Sequence, residues 1–439
     1  MPPPRTLLEA YVRQRRWSHR DFCRQYAETA ETLGLDLTVT PQHAGRWFGG
    51  KLKGMPYPAQ CRVLEEMFKA RVDRLFGPPS ADDDRNDSAE ARGAAAVEPS
   101  NPEQEITMAA DEASRFIQFA EQTNVGPHTF EQFEADIRRI VAVYPNRPVY
   151  PLFTEVRALR KRAFEKLEGQ QFPDQTRQLY LIAGLLSGIL ANASFDLGKL
   201  EAAETQARTA FLCAELAGQN WLRAWIRGTQ SLIAYWDDRP KAAVDLAVSA
   251  RQYTPENGTA LVRLASIEAR ARGRMRDRPG MEAALAFAAD ARDAVTSGDD
   301  PGGMMAFPNA KQDFYAATGR LWIGDAALAE EDAHRAVQLY KADVPEHRRL
   351  GEMNLARLDL ATARLAGGEI EGAADQISTV IDVARQRPTD SVTRRLRQFR
   401  GALNGPRFGG SRVTEDLADE ISVFTDGAAV LALPSGADR

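Results

Sequence analysis

Cysteine is scarce in this 439-residue chain. Its three copies, Cys23, Cys61 and Cys213, are far apart and odd in number. Without a CxxC or a paired-histidine spacing they indicate neither a disulfide framework nor a zinc site. Each reads as a small buried residue in a reducing compartment, so a cytoplasmic location is expected. Histidine is nearly as rare, and His19, His43, His128, His334 and His347 are scattered. A run of about 18 apolar residues is also missing, so no membrane span is expected. The start, Met1-Pro2-Pro3-Pro4-Arg5, leads into a mixed polar stretch without the apolar segment of a signal peptide. Catalytic signatures are lacking too. Gly302-Gly303 and Gly409-Gly410 do not sit in a strand–helix phosphate loop. No HExxH, nucleophile elbow or paired-carboxylate site can be named. The expectation is a non-enzyme, with no catalytic residue, metal or cofactor.

What is present describes a soluble globular protein. The apolar fraction is 44%, the mean hydropathy −0.40, and the length suffices for two or three domains. The net charge of −5 hides a gradient. Residues 1–76 hold 13 Lys/Arg against 8 Asp/Glu, whereas residues 77–105 hold 2 against 8. A basic first segment on an acidic chain points to a local surface for a polyanion.

Within that basic segment, Thr40-Pro41-Gln42-His43-Ala44-Gly45-Arg46-Trp47-Phe48-Gly49-Gly50 carries clear helix punctuation. Thr40 suits the N-cap, Pro41 the first helical position, and Gly49 or Gly50 the left-handed stop. At 100° per residue, Ala44, Trp47 and Phe48 gather on one face while Gln42 and Arg46 project from nearly the opposite one. Gln and Arg pair bidentately with adenine and guanine edges in a major groove. Lys51 and Lys53 follow at once. Such a helix fits a DNA reader and equally an ordinary buried helix whose polar residues face water.

Residues 5–76 read as five helices. Leu7, Leu8, Tyr11 and Val12 supply the first buried stripe. Ser18 caps a second helix carrying Phe22, Tyr26, Ala30 and Leu33, which Gly34 closes. After Leu35–Val39 and the helix above, Pro56 and Pro58 introduce a fourth, burying Cys61, Leu64 and Phe68. A short fifth helix places Val72, Leu75 and Phe76 before Gly77-Pro78-Pro79.

Two stretches resemble the Cro/phage-repressor-like (XRE) helix-turn-helix family. Trp17-Ser18-His19-Arg20-Asp21-Phe22 is similar to the opening of the motif's first helix, and Thr40–Gly50 is similar to its recognition helix. The resemblance implies base contacts from Gln42, His43 and Arg46. It implies phosphate contacts from Arg20, Arg24, Thr40, Lys51 and Lys53. One departure is visible: the family joins these helices by a tight turn, whereas here Leu35–Val39 lengthens the connection.

Residues 78–105, with Asp82-Asp83-Asp84 and no aromatic, cannot bury enough apolar surface to offset their ordering entropy. They read as a flexible acidic linker, the aspartates solvated rather than metal-binding. From there to residue 402 amphipathic helices succeed one another, beginning around 104–122, 128–144 and 149–169. Five helices repeat small or apolar residues at i, i+4, i+7: Ala203/Ala207/Ala210, Ala243/Ala247/Ala250, Ala284/Ala288/Ala291, Ala329/Ala333/Ala336 and Ala373/Ile377/Val380. A turn residue stands five positions before each: Gly198, Asp238, Pro279, Gly324 and Gly368. This placement, with Pro255, resembles tetratricopeptide (TPR) repeats, although the spacing is longer than that family's, and armadillo- or HEAT-like stacking is the alternative.

The expected fold is all-α: a helix-turn-helix domain (1–77), an acidic linker (78–105), a right-handed α-solenoid of degenerate TPR-like pairs (106–402) and a cap helix with tail (403–439). First helices of the repeats carry aromatics, among them Tyr235, Trp236, Phe314 and Tyr315, most of which read as core. Trp221 and Trp225 near Arg227, and the cluster Asn354, Arg357 and Arg364, suggest a groove without singling out a residue. The expected function is a sequence-specific transcriptional regulator, a homodimer on double-stranded operator DNA. Its solenoid would take a peptide, small-molecule or protein signal. The alternative is a TPR adaptor whose first domain contacts protein.

Overall fold

The computed structural model describes residues 4–50, 55–79, 102–253, 258–344, 348–405, 408 and 411–432. Lys51, Lys53, Pro255, His347 and residues 80–101 of the acidic stretch lie outside them. The described residues are all-helical, without a strand. The chain divides into two compact units, Met1–Ala113 and Ser114–Arg439.

The first unit contains α1 (Leu7–Gln14), α2 (His19–Thr32), α3 (Pro41–Phe48), α4 (Pro58–Phe68) and α5 (Val72–Leu75). Local chemistry starts each of the first three. Thr6 Oγ1 accepts from Glu9 N at 3.1 Å and donates to Phe48 O at 3.0 Å, so one side chain caps α1 and ties it to the end of α3. Ser18 and Asp21 form a reciprocal capping box. The Ser18 hydroxyl and backbone N–H, both donating to Asp21, hold that carboxyl below the usual range.

The core of this unit is aromatic. Phe22 meets Phe48 edge-on at 4.9 Å, Tyr26 lies 5.9 Å from Trp47, and Trp47 lies 6.3 Å from Phe76. Leu33–Thr40 connects α2 to α3 after a left-handed Gly34. It turns Leu35, Leu37 and Val39 inward and leaves Asp36 and Thr38 exposed, which anchors an otherwise irregular segment to the core. In α4 the buried set is Val63, Leu64 and Phe68. Cys61 is only half-buried, and its thiol donates to Pro56 O at 3.2 Å.

α6 (Pro102–Ala120) begins inside the stretch expected as linker, so residues 102–105 are helical. The division between the units falls within it. Then come α7 (Pro127–Val143), α8 (Val149–Leu167), α9 (Pro173–Asp196) and α10 (Leu200–Leu216). After them lie α11 (Asn220–Trp236), α12 (Pro240–Ser249), α13 (Ala260–Arg274), α14 (Arg278–Asp293) and α15 (Asn309–Ile323). The last are α16 (Ala326–Ala342), α17 (Leu350–Gly367), α18 (Ile370–Ala384), α19 (Asp390–Leu403) and α20 (Arg412–Ala432). From α9 onward the helices pair in order, α9 with α10 through α17 with α18, and each first helix also packs on the first helix of the next pair.

α9 is the one described helix long and apolar enough to cross a membrane, with a mean hydropathy of 1.4 over its most apolar window. It is also a core helix, since 72% of that window is buried within the protein. Isolated polar residues such as Ser187 and Asn192 interrupt its apolar stretches, which is why no continuous apolar run marks it in the sequence.

The small-residue seams lie on α10, α12, α14, α16 and α18, with Ala250 just past the end of α12. Every seam residue is buried except Ala291, which is half-buried. Gly198, Asp238, Gly324 and Gly368 take left-handed backbone before four of these helices. Pro279 does not play that part in the third, because it already lies in the first turn of α14 and Arg276 supplies the left-handed residue. The first helices approach more closely still at α13 and α15. A Cβ added to Gly273 would lie 2.5 Å from Gly319 O, so only glycine permits that backbone approach.

Contacts also jump across pairs. Trp322 Nε1 on α15 donates to Tyr235 Oη on α11 at 2.8 Å. Arg394 on α19 donates to Trp236 O at 3.2 Å. Arg387, before α19, bonds Asp196 at the end of α9 and two carbonyls after α7. The late helices thus close against the early ones around a shared interior.

Candidate functional site

Two surfaces have the chemistry of a site, one in each unit. On α3 the Thr40 hydroxyl accepts from His43 N at 3.3 Å, Pro41 opens the helix, and left-handed Gly50, rather than Gly49, follows its end. Ala44, Trp47 and Phe48 are buried, which leaves Gln42, His43 and Arg46 exposed. The side chains of Gln42 and Arg46 have no hydrogen bond or ion pair among the described residues, so their polar ends are available. His43 is less free, because its ring packs 5.1 Å from that of Trp47.

The phosphate candidates differ in the same way. Arg20 is exposed on α2. Arg24 is exposed but shared, with Asp21 at 3.0 Å and Glu28 at 4.0 Å. Thr40 spends its acceptor on the cap and keeps its proton to donate. Gly45 faces the protein. A Cβ there would lie 3.5 Å from His19 Cε1, an ordinary contact. Gly45→Ala is therefore expected to stabilise the first unit by about 1 kcal/mol through helix propensity alone. A shift of the urea midpoint reads it, and a loss of stability would show that α2 and α3 pack more tightly than this distance says.

In the second unit a cavity of about 90 Å³ lies among α9, α11, α13, α15 and α17, with Arg387 and the end of α7 closing it. Its ionic groups are mostly paired. Arg387 Nη2 is 3.2 Å from Asp196 Oδ2, which also accepts from the Tyr144 hydroxyl at 2.9 Å and, at 3.5 Å, from Asn192 Nδ2. Burial pushes the Asp196 carboxyl up against the opposing pull of Arg387. Glu352 receives Lys311 at 2.6 Å, Arg349 at 3.4 Å and the Tyr340 hydroxyl at 3.1 Å. Burial pushes its carboxyl up as well, but those two cations and their hydrogen bonds outweigh it and hold it at about 2.

Arg270, also on this lining, is different. It is 1% exposed, and its Nε and Nη2 have no hydrogen-bond partner. The guanidinium sits instead among four rings, with Tyr235 at 4.5 Å, Tyr315 at 4.8 Å, Phe314 at 5.2 Å and Trp236 at 5.3 Å.

The chain matches no protein-family model, and no curated protein is detectably similar to it. Its chemistry must therefore be read from its own residues.

Trp221 and Trp225 line a separate cavity of about 210 Å³ with Arg263 and Asp299. Arg227 is not among its lining residues: its guanidinium stacks 3.9 Å from the Phe211 ring. Burial pulls the Arg263 guanidinium down to about 10, while it donates to Trp225 O and to Thr229 Oγ1. Of the cluster Asn354, Arg357 and Arg364, the first two are buried and the two arginines are engaged, with Gln376 and with Glu330 and Gly372 O. They hold α17 to its neighbours. Among the described residues no group of three or more His, Cys, Asp or Glu is arranged to hold a metal.

Sequence reasoning missed Arg270. In the sequence it is one arginine of Ala269-Arg270-Ala271-Arg272-Gly273-Arg274. Nothing in that run separates it from Arg272, which pairs with Glu268 and Asp277, or from Arg274, which pairs with Asp238.

Proposed function

We propose that the chain is a sequence-specific DNA-binding transcriptional regulator. Residues 1–77 act as a helix-turn-helix domain in this reading, and α3 lies in the major groove. Residues 106–402 act as a right-handed, TPR-like solenoid that receives a peptide, small-molecule or protein signal. The observation that carries the reading is the outward pair Gln42 and Arg46, unpartnered on a capped helix that Trp47 seats in the core. The N-terminal residues of a recognition helix are those that meet base edges, and its positive end favours nearby phosphate. The consecutive pairing of α9 to α18 and their buried small-residue seams support the repeat reading. The regulator works as a homodimer, and a signal in the second unit alters the spacing of the two reading heads by favouring one packing of its helices.

Selection of bound sequences from random duplex DNA by the full-length protein tests this. Enrichment of two half-sites supports the reading. Absence of any enriched sequence, with the protein folded, favours the adaptor whose first domain contacts protein. Arg46→Ala is expected to cost about 1–3 kcal/mol and to relax preference at one base position. Lys51→Ala should weaken all sequences alike and flatten the salt dependence by about one charge.

A further inference from the structure

We infer that the cavity beside Arg270 is a binding site for an oxyanion, the carboxylate or phosphate group of a small ligand, with Arg270 as its counter-ion. Four cations line the cavity, Arg270, Lys311, Arg349 and Arg387, against two carboxylates, Asp196 and Glu352. The carboxylates are taken by the other three cations. Arg270 is left as a buried charge with no anion. A buried, unpaired charge is costly, and ring faces offset only part of that cost.

The vacant donors matter as much as the charge. Nε and Nη2 lie on the same side of a guanidinium and form the fork that takes two oxygens of one carboxylate or phosphate. Both are the donors left without a partner. Both are also shut off from solvent, so an incoming anion reaches them only as the surrounding rings give way. Those rings belong to α11 (Tyr235, Trp236) and α15 (Phe314, Tyr315), the helices on either side of α13. Occupancy therefore alters the packing of three first helices at once. The space, about 90 Å³, suits a small head group rather than a folded segment.

The inference concerns the second unit and stands whether or not residues 1–77 bind DNA. Its test is isothermal titration calorimetry on the full-length protein, with inorganic phosphate in one arm and butyrate in the other, at ionic strength matched with chloride. One saturable site is expected for at least one anion, with a Kd on the order of 1 mM or tighter. The better-binding arm identifies the head group. Arg270→Gln should weaken that binding by about ten- to a hundredfold. Glu352→Gln, which removes a competing carboxylate, should strengthen it several-fold, and it decides the matter if Arg270→Gln does not fold. Failure of both anions to bind, unchanged binding by a folded Arg270→Gln, or no gain from Glu352→Gln would overturn the site. Binding that leaves affinity for the selected DNA unchanged would keep the site and remove it from the regulation of the first unit.

Discussion

Replacement of Arg387 by alanine is expected to destabilise the second unit by about 3–5 kcal/mol near neutral pH. The side chain is 5% exposed and makes three bonds to residues some two hundred positions earlier: Asp196, Tyr144 O and Arg147 O, at 3.2, 3.3 and 3.2 Å. Its removal leaves Asp196 buried with only the Tyr144 hydroxyl and a long contact to Asn192. An ionised carboxylate in that position is worth less to the protein than a neutral one, because burial already pushes its pKa up in the presence of Arg387.

The pH dependence follows from that direction. A carboxyl whose folded pKa exceeds its unfolded value binds its proton more tightly when folded, so stability falls as pH rises through the carboxylate range. The penalty of Arg387→Ala should accordingly shrink as the pH is lowered and Asp196 takes up a proton. Urea denaturation at pH 7 and at pH 5 measures both quantities. The double variant Arg387→Met with Asp196→Asn should recover most of the loss, since a neutral pair removes the stranded charge. A single variant as stable as the parent at pH 7 would show that the early and late helices do not depend on this contact.

Trp47→Ala is expected to cost the first unit about 3–5 kcal/mol, the range for deleting a buried tryptophan. Trp47 is 1% exposed and touches Phe22, Tyr26, His43 and Phe76, so its loss opens a cavity at the meeting point of α2, α3 and the end of α5. A core of about 70 residues rarely supplies more than 3–5 kcal/mol in total, so the variant should be largely unfolded over residues 5–76. Hydrogen exchange localised to those residues reads the effect while the second unit serves as an internal control. If the first unit reads DNA as proposed, that binding should vanish with the fold, whereas Arg46→Ala should weaken it and leave exchange unchanged. Protection in Trp47→Ala equal to that of the parent would show that another contact holds α3.

The two predictions separate what short-range pattern carries from what it cannot. Around α3 the information is local. Thr40, Pro41 and Gly50 bracket eight residues, and the 100° rotation per residue places Trp47 inward and Arg46 outward whatever the rest of the chain does. The same rule places the seam alanines of α10 to α18 on buried faces. It falters where a turn is made by a residue with no turn preference. Arg276, not Pro279, is left-handed before α14. Cys61 is half-buried and Val63 fills the core instead, because the buried face of α4 runs through Val63, Leu64 and Phe68 and leaves Cys61 at its margin.

The sequence by itself therefore determined the all-helical character of the described residues, the helix of Thr40–Gly50 with its inner and outer faces, and the small-residue seams. Each follows from periodicity and capping within one or two turns. Only the tertiary structure decided which charges share an interior. Asp196 meets Arg387, Glu352 meets Lys311, and Arg270 meets rings from positions 235, 236, 314 and 315 and no anion. Burial and charge pairing depend on helices brought together across dozens to hundreds of residues, and no local spacing encodes that distance.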